Sequence, residues 1–165
     1  MKRIGIISDT HGFWDEKYVH YLAACDEIWH AGDIGSMSLA DAFENMGPRF
    51  RAVYGNIDDV DMRARYREVL RFRVEGVDVL LKHIGGYPGH YDASVRDMIE
   101  ERPPQLFVDG HSHILRIMPD KKLHLLHINP GAAGMSGWQV ERTLVRLTID
   151  GTDFKDCEVI KLGRR

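Results

Sequence analysis

Apolar and polar positions follow two different rhythms along the chain. Lys2 to Ser8 opens with the apolar run Ile4-Gly5-Ile6-Ile7, which breaks at a polar cluster as a buried strand of an α/β protein does. Apolar residues from Lys17 to Ala24 then recur at helical spacing, and Glu27-Ile28-Trp29-His30 predicts a second strand that ends at Gly32-Asp33. Ser36 or Ser38 caps a helix reaching about Met46, where Gly47-Pro48 stops it. Arg51-Ala52-Val53-Tyr54 predicts a third strand ending at Gly55-Asn56. Strand and helix alternating in this way imply parallel β-α-β units.

From the middle of the chain onward the pattern becomes richer in strands. Arg71 to Val74 and Val77 to Lys82 flank Glu75-Gly76, a hairpin connection, and the second of these runs leads to His83-Ile84-Gly85-Gly86. Gly86 to His90 is expected to be a mobile loop beside His83 that controls access. Asp92 or Ser94 opens a helix through about Glu101, and Pro103-Pro104 closes it before the strand Leu106-Phe107-Val108. The remaining strands, near Leu115 to Met118, Leu123 to Ile128, Thr143 to Ile149 and Cys157 to Leu162, are expected to form an antiparallel meander with a turn at Asp150-Gly151. No internal repeat, linker or low-complexity segment interrupts this order.

Composition narrows the field. The 165 residues suit one compact domain, 1–165. No apolar run approaches the roughly 20 residues of a membrane helix and no secretory leader is present, so the expected location is cytoplasmic. Cys25 and Cys157 lack any CxxC spacing, which excludes a disulfide framework and a cysteine metal site. The net charge of −3 comes with dispersed lysines and arginines, so specific nucleic-acid binding is not expected. Association into a homo-oligomer is left open.

The chemistry concentrates at the ends of five apolar strands. Asp9 and His11, Asp33, Asn56, His83, and finally His111 and His113 occupy the loops that follow them, and open α/β sheets place ligand sites beyond strand carboxyl ends. Imidazoles, carboxylates and one amide carbonyl make a mixed nitrogen and oxygen set suited to first-row divalent cations. Seven candidate ligands exceed the needs of one ion, whereas two cations sharing a carboxylate use them all. The spacing of Asp9 with His11, and of His111 with His113, puts each pair on one side of an extended backbone. Glycine recurs at every ligand loop, where it permits tight turns and close approach.

In order along the chain, Ser8-Asp9-Thr10-His11-Gly12, Gly32-Asp33, Gly55-Asn56-Ile57-Asp58, His83-Ile84-Gly85 and Gly110-His111-Ser112-His113 resemble the motifs of calcineurin-like metallophosphoesterases. Asn129-Pro130-Gly131 is similar to a further block of the small bacterial and archaeal phosphodiesterase branch. The resemblance implies an α/β fold, a four-layer α/β/β/α sandwich with mixed sheets. It also implies that Asp9, His11 and His113 hold one metal, that Asp33 bridges, and that Asn56, His83 and His111 complete a second. The implied cofactors are two divalent ions, manganese foremost, with nickel, iron, cobalt or zinc as substitutes. The implied reaction is hydrolysis of a small phosphate ester, a diester rather than a monoester, by in-line attack of a metal-bridging hydroxide.

One departure bears on catalysis. Many larger relatives place histidine directly after the asparagine, where this chain has Ile57, which cannot donate a proton. Asp58 and Asn56 are therefore the catalytic candidates besides the ligands, Asp58 mainly by orienting Asn56, His11 or a water. Without an assigned acid, esters with good leaving groups are the expected substrates. The rival function is a metal-binding protein-interaction scaffold, since the same small branch resembles the retromer subunit that uses this fold to bind proteins. The complete ligand set favours the enzyme.

Other residues have plainer readings. His20, His90 and His124 are taken as solvated or packed, while His30 and His127 divide evenly between support of the ligands and core packing. Phe13 and Trp14 offer an apolar wall but suit the core at least as well. Arg63, Arg65, Arg67, Arg71 and Arg73 are read as a solvated face before they are read as a positive rim for an anion.

Overall fold

The structure, a computed structural model, describes residues 1–165. In chain order its elements are β1 (Lys2–Ile7), α1 (Glu16–Leu22), β2 (Glu27–His30), α2 (Met37–Glu44), β3 (Arg49–Ala52), α3 (Val60–Arg65), β4 (Val69–Val74) and β5 (Val77–Lys82). They continue with β6 (Gly86–Tyr87), β7 (His90–Tyr91), α4 (Ala93–Glu101), β8 (Leu106–Val108), β9 (Arg116–Asp120), β10 (Leu125–Asn129), β11 (Glu141–Asp150) and β12 (Asp153–Arg164).

Two five-stranded mixed sheets result. The first has the order β12-β11-β1-β2-β3, parallel from β1 to β3 and antiparallel through β11 and β12. The second has the order β4-β5-β8-β10-β9, in which β5, β8 and β10 are parallel and both edge strands antiparallel. The helices begin as the sequence requires: Asp15, Ser36, Asp59 and Asp92 cap α1 to α4, each side chain accepting from a backbone N–H of the first turn.

The buried residues define four layers directly. Ile4, Ile6 and Trp29 of the first sheet meet Val79, Leu81 and Val108 of the second in one apolar layer. The other face of the first sheet packs Ile7, Ile28 and Leu144 on Tyr18 and Leu22 of α1 and Phe43 of α2. Leu80 and Phe107 of the second sheet pack on Val95 and Ile99 of α4. Alternation along β1 sorts Ile4 and Ile6 to the sheet interface and Ile7 to the helix side, as a two-residue period dictates. No helix is long and apolar enough to cross a membrane.

Three expectations need correction. The last four strands are no single meander: β9 and β10 pair in the second sheet, whereas β11 and β12 pair in the first. Asn129 to Val140 carries the chain across between the sheets, and turn residues alone cannot tell such a crossover from a hairpin. The third strand lies two residues earlier than read, because Arg49 and Phe50 pair with Glu27 and Ile28, and Val53 keeps only an isolated bridge to Arg67. Finally, Gly86 to His90 belongs to a small ladder in which Gly86 faces Tyr91 and Tyr87 faces His90.

Trp29 marks the centre of the inter-sheet layer. It is fully buried, meets the Phe72 ring edge-on at 5.1 Å and donates from Nε1 to Glu27 Oε2 at 2.8 Å. Trp29→Ala is expected to lower unfolding free energy by about 3–5 kcal/mol, the range for large aromatic truncations, as read by denaturant unfolding. A loss below about 1 kcal/mol would show that the layer re-packs around the gap.

Candidate metal centre

Ligand candidates sit where strands stop, and the backbone there is unusual. Asp9, His11, Asp33, His111 and His113 take φ angles of 54°, 47°, 56°, 67° and 62°, five of the eight non-glycine residues with positive φ. Left-handed backbone at a non-glycine residue costs of order 1–3 kcal/mol and persists only where its surroundings enforce it. The paired ligands two residues apart are thus aimed by left-handed turns, in place of the extended backbone inferred from their spacing. Gly55 has a separate reason to be glycine, since a Cβ there would collide with the Asp33 carboxylate.

Both carboxylates are held by one oxygen and present the other inward. Asp9 Oδ2 accepts from Ser8 Oγ at 2.6 Å and from His111 N at 3.1 Å, which leaves Oδ1 3.1 Å from His113 Nε2 and 3.7 Å from His11 Nε2. Asp33 Oδ1 accepts from Ile57 N at 3.0 Å, and its Oδ2 lies 3.4 Å from His11 Nε2 and 3.2 Å from His83 Nε2. Asn56 Oδ1 stands 2.9 Å from both His83 Nε2 and His111 Nδ1. All seven candidate ligands therefore meet: Asp9, His11 and His113 on one side, Asn56, His83 and His111 on the other, with Asp33 in contact with both.

Hydrogen bonds behind two of the imidazoles constrain their tautomers. Gln139 Nε2 donates to the carbonyls of Ser136 at 2.7 Å and Gly134 at 3.3 Å, so its Oε1, 2.8 Å from His113 Nδ1, accepts from that ring. A neutral His113 then turns the lone pair of Nε2 toward the lone pairs of Asp9 Oδ1. His83 Nδ1 faces the Ala31 carbonyl at 2.7 Å, which likewise turns its Nε2 lone pair toward Asp33 and Asn56. Inward-facing lone pairs at about 3 Å repel unless a proton or a cation lies among them, and Asp9 Oδ1 and His11 Nε2 are buried without a hydrogen-bond partner. The donor atoms of Asp9, His11 and His113, and those of Asp9, Asp33 and His83, each lie within 4.8 Å of one another. This donor set fits divalent cations.

Charge follows the same logic. The neighbouring carboxylates, Asp33 first and then Asp9, stabilise the protonated ring of His11 and raise it to about 9. The Asp9 carboxylate 3.1 Å away likewise raises His113, and at His83 burial lowers the ring but is outweighed by Asp33 and Asp9. Burial opposes ionisation of Asp9 and Asp33, yet their imidazole partners hold both below the usual carboxylate range. His111, dominated by burial, is lowered.

A buried scaffold ties these loops together. His30 is fully buried, and that burial lowers it to about 3, so the ring is neutral. Its Nδ1 accepts from Gly32 N and its Nε2 donates to Thr10 Oγ1, which links the first two loops. Asp58 accepts from Gly55 N at 2.8 Å, Gly35 N at 2.9 Å and Ile34 N at 3.3 Å, joining the Asp33 and Asn56 loops. None of these bonds reaches the side chain of Asn56 or His11, two of the three groups, a water being the third, that Asp58 was expected to orient. Asn129 Nδ2 donates to Gly110 O and Ser112 Oγ, shaping the loop that carries His111 and His113. Asp109, raised to about 6 chiefly by burial, bonds His127 at 2.7 Å beneath the same loop.

Of the remaining histidines, His20, His90 and His124 are exposed. Trp14 packs on Tyr18 and Phe43 at the rim of the core, and Phe13 lies beneath the Arg142 guanidinium. Gln139 escaped the sequence reading, because a glutamine 26 residues after His113 carries no local signal.

Sandwich layers and a cluster of carboxylates and imidazoles beyond the strand ends define a class, the metallophosphoesterase-like folds. Residues 1–152 match the calcineurin-like phosphoesterase superfamily domain, and the chain belongs to that superfamily. Similar solved structures include wild-type Vps29 of Entamoeba histolytica complexed with zinc, with TM-score 0.74, 15% identity, and 96% of this chain and 98% of that one covered. An archaeal phosphodiesterase matches with TM-score 0.72 and 21% identity over 97% and 99% of the two chains. A predicted phosphoesterase of Streptococcus pneumoniae matches with TM-score 0.69 and 23% identity over 97% and 89%. No curated protein sequence matches the chain.

Two measurements follow from the geometry. Gln139→Leu removes the acceptor that sets His113 and should weaken cation binding about 10- to 100-fold by calorimetry, whereas Gln139→Glu keeps an acceptor and should bind near wild type. Equal affinity in Gln139→Leu would remove Gln139 from the centre. The second measurement concerns pH. In metal-stripped protein the depressed Asp9 and Asp33 stabilise the fold above their ordinary value of 3.8 and lose that effect as pH falls. His11 stabilises it below its ordinary 6.5 and loses that effect as pH rises through about 9. Stability of the stripped protein should therefore peak between those two ordinary values, while cation affinity, which needs unprotonated imidazole, climbs up to about pH 9. Affinity flat across that range would contradict proton–cation competition.

Proposed function

We propose that the chain is a binuclear, metal-dependent phosphodiesterase acting on a small phosphate ester. The observation that carries this reading is the convergence of donor atoms from Asp9, His11, Asp33, Asn56, His83, His111 and His113 in one cluster. Asp9, His11 and His113 would hold one cation and Asn56, His83 and His111 the other, with Asp33 shared; manganese is favoured, and nickel, iron, cobalt or zinc would also suit the donors. When bound, such a pair supplies Lewis acidity, acidifying a water and offsetting charge on phosphoryl oxygens.

The chain's own groups complete the reading. Gln139 and the Ala31 carbonyl fix the rings of His113 and His83, so each imidazole meets its ligand in one orientation. Ile57 contributes its backbone N–H to Asp33, while its side chain is exposed and offers no proton. Asp58 is committed to three backbone amides and acts by holding two ligand loops in register. No side chain is thereby assigned to protonate the departing oxygen, which favours esters whose leaving group is stable as an anion. Small esters fit better than long nucleic acid, given the net charge of −3.

A protein-binding scaffold is the second reading. It is favoured by the similarity to Vps29 structures and by the exposed apolar side chains Ile114, Met135, Trp138 and Val140 near the His113 loop. Turnover separates the two. Metal-stripped protein reconstituted with manganese should hydrolyse bis-nitrophenyl phosphate faster than nitrophenyl phosphate, and Asp33→Asn and His83→Ala should each lower kcat/KM at least about 100-fold. Metal-loaded protein inert toward both esters would favour the scaffold.

A further inference from the structure

Beside the Asn56 and His83 edge of the centre opens a cleft of about 190 Å³ lined by Tyr54, Gly55, Asn56, Arg63, Glu68, Lys82, His83 and Ile84. Two cations in its wall make no direct ion pair, although the Ser94 hydroxyl that accepts from Lys82 bonds the Asp92 carboxylate in turn. Lys82 is only 5% exposed, and its ammonium donates to Ile84 O at 3.0 Å and Ser94 Oγ at 2.9 Å, with no acidic side chain within 4.0 Å. A buried ammonium is unfavourable unless its hydrogen bonds are met, and here one of its three donors has no acceptor in the chain. Arg63 is held from three sides. Its Nε donates to Asp58 O at 3.0 Å, its Nη2 reaches Asn56 O at 3.5 Å, and its plane lies 4.8 Å above the Tyr54 ring. In the same run Arg65 pairs with Asp41 and Glu44 and Arg71 with Asp78, whereas Arg63, Arg67 and Arg73 make no ion pair, and of these three Arg63 alone lines the cleft.

We infer that this cleft binds a second anionic group of the substrate, a phosphate or phosphonate lying one short linker away from the phosphoryl group at the metal centre. The inference deepens the proposed function and rests on it for the position of the first phosphoryl group. A pre-set guanidinium with free N–H groups matches phosphate oxygens, and the nearly buried ammonium adds a point charge where water screens it little. Glu68, the one acid in the wall, is exposed at the rim, where it suits a hydroxyl on the linker and disfavours a bulky anion at the mouth. Substrates of this class carry two phosphates joined by a short polar chain.

Calorimetry with manganese-loaded protein tests this without turnover, using 1,3-propylenediphosphonate against propylphosphonate. The diphosphonate should bind at least tenfold tighter, and Arg63→Gln and Lys82→Met should each remove most of that difference. Lys82 adjoins His83, so manganese binding by Lys82→Met is measured separately. If that binding is lost, Arg63→Gln alone decides. Equal affinities in the wild type, or a preference that survives Arg63→Gln, overturns the inference. Preference for the diphosphonate in a protein that hydrolyses no ester would keep the cleft and discard the enzymatic reading; turnover without that preference would do the reverse.

Discussion

Mutual repulsion among inward-facing lone pairs governs this molecule. Two carboxylates, four imidazoles and an amide carbonyl converge on a largely buried volume, and Asp9, Asp33, His83 and His113 are each held from behind so that one donor atom points at the others. Such a cluster is unfavourable by itself, and it exists because the surrounding sandwich leaves it no way to relax. Protons can balance it, as the raised His11, His83 and His113 show, and so can cations. Left-handed backbone at five of the ligands is the local cost of that convergence, offset by the packing of two sheets and their flanking helices.

Fixing loops from different strands requires cross-links that do not depend on the ligands. Asp58 joins two loops through three amide hydrogen bonds, His30 joins two through its ring nitrogens, and Asn129 shapes a third. All three are buried and uninvolved in ligation, and the neutral form of His30 follows from that burial. The division of labour explains how a chain with isoleucine at position 57 retains the geometry: the loop needs only a backbone N–H at that position.

Much of this was readable in advance. Strand ends carrying Asp9, Asp33, Asn56, His83 and His111 located the centre, since a buried parallel strand followed by a polar, glycine-bearing loop is a local pattern. The helices were legible too, because Ser36 and Asp92 cap where a short polar side chain precedes an apolar helical stretch. Long-range pairing was not. Whether β10 turns back on itself or crosses to the first sheet depends on which apolar face needs covering, and alternation within one strand does not reveal that. Gln139 stayed hidden for the same reason, its meaning residing wholly in contacts far along the chain. Asp58 was visible as a candidate, but its role depends on amides of Ile34 and Gly35 that the sequence cannot bring near it.

The segment after β10 gives the centre a temporal property. By residue 113 a chain emerging from the ribosome already carries all seven candidate ligands, yet the backbone bonds from Ala133 N to Ser8 O and from Gly134 N to Asp9 O, and the Gln139 acceptor behind His113, come later. A nascent fragment therefore presents acids and imidazoles without the frame that aims them. Contacts made late along the sequence are thus part of what orders the candidate centre.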